Sequence, residues 1–131
     1  MRPMARWCLC AVLLTWAAGC QKMHETKAFD LHTGEVRDIH ISAPTYGQTV
    51  KVVATSSDSP IAVYVVLEKD FEAVHKALMN YKEPDQAMVL ASGKDSKELT
   101  VEAKVPAKNE YAVLVARANK KTKVDLDITG S

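Results

Sequence analysis

The side chains best suited to metal binding or acid–base work are the four histidines, His24, His32, His40 and His75. None stands at the short spacing from another histidine or a cysteine that makes a pair of metal ligands, so no metal site is expected. His24 falls in a polar N-terminal stretch and His75 on the polar side of a helical pattern. Only His32 and His40 could meet, across a turn at Thr33-Gly34. Strand pairing around that turn would oppose Leu31 or His32 to residues near Glu35 and Val36, which argues against a two-histidine site. Asp125 and Asp127 flank Leu126 on what reads as one strand face, an arrangement that could bind calcium or divide acid and base roles. Calcium takes several oxygen ligands from a curved loop, more than two carboxylates on a flat strand supply. A catalytic pair would need a cleft partner, and none is identifiable. The sequence holds no Gly-x-Ser-x-Gly elbow, no His-Glu-x-x-His and no glycine-rich phosphate loop. The expectation is no catalytic residue, no cofactor and no enzyme.

One nucleophile has a clear chemical setting. Arg2 and Arg6 precede an apolar run from Trp7 to Ala18, broken only by Thr15, and the small residues Ala17, Ala18 and Gly19 lead into Cys20. This three-part layout is that of a signal peptide. The run is shorter than the roughly twenty residues a membrane-crossing helix needs. Ala17-Ala18-Gly19-Cys20 resembles the lipobox of bacterial lipoproteins, although the family usually has leucine where Ala17 stands. The resemblance implies that residues 1–19 are removed and that the Cys20 thiol carries a diacylglyceryl group. Cys8 and Cys10 would leave with the signal, so Cys20 would be the sole cysteine of the mature chain and no internal disulfide could form. A lone exposed thiol is a liability in an oxidising compartment, and acylation removes it. Gln21, rather than aspartate, after Cys20 resembles the outer-membrane signal more than the inner-membrane one. The expected location is therefore the cell envelope, facing the periplasm, with the membrane as a partner through the lipid.

From Cys20 to Ser131 the chain has the length of one domain, with no linker or repeat. Fifteen basic residues remain there against sixteen acidic, a net charge of −1 with histidines neutral. That balance implies no nucleic-acid or polyanion partner. The one basic cluster, Lys120, Lys121 and Lys123, reads as a solvated hairpin tip rather than a headgroup-binding patch.

Those residues must be positioned by strands. Residues 20–27 are polar and aperiodic and read as a lipidated tether, leaving 28–131 as the folded domain. From Phe29 onward the dominant period is two, with turn chemistry between segments. Strands are expected over Ala28 to His32, Glu35 to Ser42, Gln48 to Thr55, Ile61 to Leu67, Ala87 to Ala91, Leu99 to Val105, Glu110 to Ala118 and Thr122 to Thr129. Phe29, Leu31, Ile39 and Ile41 should face inward. The continuously apolar Ile61 to Leu67 should lie mid-sheet, buried on both faces. Ser92-Gly93-Lys94-Asp95 reads as a turn. The period changes at Asp70, where Phe71, Val74, Leu78 and Tyr81 recur at helical spacing and Asp70 is placed to cap the first turn. Pro84 should end that helix. About eight strands and one inserted helix argue for a mainly β fold, an antiparallel, jelly-roll-like β-sandwich. Residues 105 to 113, Val-Pro-Ala-Lys-Asn-Glu-Tyr-Ala-Val, resemble the late hairpin of pre-peptidase C-terminal and GOLD-like modules, where Asn109 replaces a usual glycine. That resemblance implies a non-catalytic binding or packing module.

Binding residues concentrate on loops and insertions carried by rigid scaffolds. Phe71, Val74, Leu78 and Tyr81 are thus the candidate partner-binding residues, although the same stripe is what any docked helix presents to a core. Three functions remain distinguishable. The first is a non-enzymatic envelope lipoprotein with a protein partner. The second is a carrier or sensor of a small apolar ligand held between sandwich and helix. The third is a small hydrolase using Asp125 and Asp127.

Overall fold

Ile61–Leu67 and Tyr111–Ala116, the two most uniformly apolar segments, lie side by side at the centre of one sheet. Both are buried on their two faces, which is why neither alternates. The computed structural model describes residues 23–131. The expected signal segment and Cys20 lie outside the described residues.

The strands in chain order are β1 (Met23–Leu31), β2 (Arg37–Ile41), β3 (Gln48–Ser56), β4 (Ile61–Leu67), β5 (Ala91–Ser96), β6 (Glu98–Val105), β7 (Tyr111–Ala116) and β8 (Thr122–Gly130). Helix α1 (Glu68–Met79) and a 3-10 turn (Gln86–Met88) separate β4 from β5. One sheet has the order β1-β8-β3-β6 and the other β2-β7-β4-β5. First pairs with eighth, second with seventh, third with sixth and fourth with fifth, all antiparallel. This nesting is a jelly roll, and it confirms the mainly β sandwich with one inserted helix.

The sandwich core lies between the sheets, where Leu31, Val50, Val52, Val63, Val113 and Ile128 are fully buried. Phe29, Leu31, Ile39 and Ile41 all pack there, as expected. A second core covers the outer face of β4 and β7, where Ala62, Tyr64, Val66, Ala112 and Leu114 receive Val74 and Leu78 of α1. Burial of each of those two helix side chains contributes roughly 1.5–3 kcal/mol. The molecule is therefore layered as sheet, sheet, helix.

Several local expectations are corrected. The chain does not meander: β1 and β2 belong to opposite sheets, so Thr33-Gly34 starts a crossing rather than a hairpin. The same holds for the connections at 106–110 and 117–121. Residues 23–27, expected as tether, are the first half of β1, because β8 supplies a complete antiparallel partner from Met23↔Gly130 to Leu31↔Thr122. Ala87 to Ala91 is mostly the 3-10 turn and its exit, while Ser92 to Asp95 is strand. Gly93 stands there for close approach, since a Cβ would lie 3.1 Å from Val101 and 3.2 Å from Leu99. Helix α1 starts two residues before Asp70, and its first-turn amide at Glu68 is satisfied by the Glu110 carbonyl at 2.9 Å rather than by a side-chain cap. The acidic Glu68 and Asp70 still complement the positive end of the helix.

Candidate binding site

On one flank of the sandwich, the edge strands β1 and β2 run beside each other without pairing. The opposite flank is closed differently, because β5 passes directly into β6. Alternation along β1 puts Glu25 and Lys27 on the face that carries Met23, Phe29 and Leu31 toward the core. Alternation along β2 does the same for Arg37 beside Ile39 and Ile41. The open flank is thus a mouth of about 400 Å³, lined by Glu25, Lys27, Phe29, Arg37, Ile39 and His40 among others. The Arg37 guanidinium lies 4.9 Å from the Phe29 ring centroid and so bridges the two sheet edges by a cation–π contact. Lys27 and Glu25 stand 3.9 Å apart on β1.

His40 forms the rim. Its Nε2 lies 2.6 Å from an Asp38 carboxylate oxygen and its Nδ1 lies 2.8 Å from a Glu68 carboxylate oxygen. A neutral imidazole has one N–H and can donate to only one carboxylate, so this geometry favours the imidazolium. The hydrogen bond to Glu68 raises the His40 pKa above its ordinary 6.5, partial burial opposes it, and Asp38 adds to the rise. Both ring nitrogens are occupied as donors, leaving no lone pair for a metal. Phe71 meets the His40 ring edge-on at 4.6 Å and His75 follows at 5.4 Å, extending the rim along α1. Behind the mouth, Tyr111 is fully buried and its hydroxyl has no hydrogen-bond partner. Burial, reinforced by the Glu25 charge, pushes its pKa up to about 12, so it stays a neutral hydroxyl.

The four helix candidates do not form one groove. Val74 and Leu78 are buried against the second core, which is what the amphipathic stripe was for. Phe71 is half-buried on the rim of the mouth, and Tyr81 is 72% exposed at the far end of the helix. The expected pocket between sandwich and helix is closed by Tyr64, Val66, Leu114, Val74 and Leu78, all 4% exposed or less. His24 lies 2.5 Å from Asp127, across β1 and β8 on the outer sheet face, and Asp125 sits nearby on the same face. Among the described residues no three His, Cys, Asp or Glu side chains gather where a metal could sit. The mouth residues Glu25, Lys27 and Arg37 escaped the reading of the sequence. Their signal was parity, since each stands an even number of positions from an inward apolar residue of its own strand.

The mouth therefore offers charges of both signs, an aromatic on each edge and two strand edges with free backbone groups. No family model and no curated protein match the sequence. Among solved structures, the chain is similar to Aeromonas hydrophila PliG, a periplasmic lysozyme inhibitor of g-type lysozyme. That likeness has 14% identity, 87% of this chain and 90% of the other covered, and a TM-score of 0.54. It is also similar to the Yersinia pseudotuberculosis-derived mitogen, at 10% identity, with 83% and 86% covered and a TM-score of 0.57. These likenesses establish a shared sandwich fold.

Proposed function

We propose that this chain is a bacterial envelope lipoprotein, cleaved before Cys20 and acylated there, whose jelly roll is a non-enzymatic module binding a protein partner through the open β1–β2 flank. The observation that carries the binding assignment is the pairing of two unpartnered strand edges with Glu25, Lys27, Arg37 and His40 around one mouth. Edge strands recognise extended polypeptide through free backbone groups, and flanking charges set specificity. A nucleic acid would require a basic surface, and the mouth is of mixed sign. The periplasmic lysozyme inhibitor with this fold supports the reading, as an exported domain of similar size acting on another protein. Gln21 after Cys20 supports the outer membrane over the inner.

In-cell photo-crosslinking tests the binding surface. A benzophenone side chain at Lys27 or Arg37 should yield a discrete adduct with another envelope protein, whereas the same group at Asp125 on the outer face should not. Self-contacts alone, or equal adducts from all three positions, would reject it. Intact-mass measurement of protein taken from the membrane fraction tests the anchor separately, by a chain starting at Cys20 with added acyl mass.

A further inference from the structure

The strand β1 begins three residues after Cys20. An extended chain advances at most about 3.6 Å per residue, so the Cys20 backbone lies within about 11 Å of Met23. If the lipid assignment above holds, that short reach fixes which end of the sandwich meets the bilayer.

Register identifies what else lies at that end. Met23 and Val50 both oppose Gly130, Thr49 and Ser131 exchange backbone bonds of 3.0 Å, and Gln48 opposes Val105. Ile41 and Leu67 both oppose Tyr111, which brings the loops 42–47 and 106–110 to the same end. The Lys108 amide donates to the Pro44 carbonyl at 2.7 Å, joining the two loops into one surface. Tyr46 projects from it, 81% exposed, and Lys108 of the same surface and Lys104, opposite Thr49 at the end of β6, are also exposed. Glu110 is the acid of these two loops and is exposed. Its backbone carbonyl accepts from the Glu68 amide, which brings the first turn of α1, with Glu68, Lys69 and Asp70, to the same end. A tyrosine that is apolar along its ring and polar at its tip suits headgroup depth, and lysines attract anionic headgroups. Lys120 and Lys121, the basic cluster in the sequence, sit beyond the opposite end of β8. A nine-residue strand puts them roughly 27 Å further from the anchor.

We propose that the end carrying Tyr46, Lys104 and Lys108 is a membrane-docking surface, seated on the headgroups beside the Cys20 lipid, with Tyr46 at headgroup level. This deepens the lipoprotein reading and rests on it. Docked so, the β1–β2 mouth opens sideways along the membrane, and Lys120 and Lys121 point away from it.

The test exploits the absence of tryptophan after Cys20, since Trp7 and Trp16 both precede it. Tyr46→Trp and Lys120→Trp each give a mature chain with one tryptophan, at exposed positions that place no demand on folding. Each is purified in its membrane-processed form and reconstituted into phosphatidylethanolamine–phosphatidylglycerol vesicles with a headgroup-level nitroxide lipid. Tyr46→Trp should be quenched at least twofold and blue-shifted against detergent solution, with Lys120→Trp unchanged. Acyl mass and flotation with an unquenched Trp at 46, or stronger quenching from 120, would overturn the orientation while leaving the anchor intact. Lack of acyl mass and flotation would overturn both.

Discussion

His40 holds a carboxylate at each ring nitrogen, and only its protonated form satisfies both. Its folded pKa is raised, so the stabilisation is fully present below the unfolded value near 6.5 and is lost as pH climbs through the higher folded value. With the ring about half exposed, screening limits the effect to a few tenths of a kcal/mol. Thermal melts at pH 5.5 and 8.5 should show native protein losing a degree or two more than His40→Gln across that interval. Identical pH dependence in the two proteins would mean that the clamp contributes nothing. Tyr111 poses the reverse case, because its hydroxyl is buried without a partner. An unsatisfied buried hydroxyl carries a desolvation cost, so Tyr111→Phe removes a penalty while keeping the ring. Urea titration should find the variant stabilised by up to about 1 kcal/mol, and a loss above that size would reveal a partner for the hydroxyl.

The end of α1 shows how element boundaries are decided by atoms that sequence patterns do not display. Pro84 is not what ends the helix: α1 stops at Met79 with Asn80 as its cap, and the chain has already turned at Tyr81, whose φ is 56°. The Lys82 amide bonds the Ala77 carbonyl at 2.8 Å and the Tyr81 amide bonds Leu78 at 3.1 Å, a Schellman closure with tyrosine where glycine is usual. Left-handed geometry costs a non-glycine residue roughly 1–2 kcal/mol. The Tyr81 ring recovers part of that by lying over Gly34, where a Cβ would collide with its hydroxyl. Tyr81→Gly should therefore stabilise the domain by about 0.5–1 kcal/mol in denaturant unfolding, and destabilisation would show that the ring contact outweighs the strain. Beyond the turn, Glu83 is held by Lys94 and Arg117, which fixes the return path to β5. Strands with one wet face were legible, as in β8, where alternate residues are buried. The strand β5 was not, since its Ser-Gly-Lys-Asp composition imitates a turn while Gly93 serves a close sheet contact. The amphipathic stripe of α1 was legible as a stripe, but periodicity gives a face and not what the face meets. Only Phe71 of the four candidates therefore reached the mouth's rim.

At the scale of the whole molecule, strand parity specifies which side is inward but not which strand is neighbour, and the nested pairing was invisible for that reason. Nesting makes the first strand depend on the last: Met23 to Leu31 pair along their whole length with β8. Deleting residues 23–27 removes more than half of that ladder and one flank of the mouth, so a chain starting at Ala28 should lose about 2 kcal/mol or more, read as a lower urea midpoint. No change would restore the tether reading of that segment. The same long separation governs kinetics. Closure of β1 on β8 joins residues from opposite ends of the domain, Met23 with Gly130 through Leu31 with Thr122, and only β4 and β5 are sequence neighbours that also pair. Folding dominated by such distant contacts falls in the millisecond-to-second range. A chain ending at Asn119 lacks β8, which separates β1 from β3 in its sheet, and should show no cooperative unfolding. Under the export reading, this means that a precursor emerging from the ribosome cannot complete its sandwich before its last strand is made. Stopped-flow refolding of Tyr46→Trp from urea should give a dominant phase slower than about 1 ms, together with a flat urea melt for the chain ending at Asn119. A microsecond phase, or a cooperative transition without β8, would show that a local subset of strands folds alone and that the nested ladder is not what delays folding.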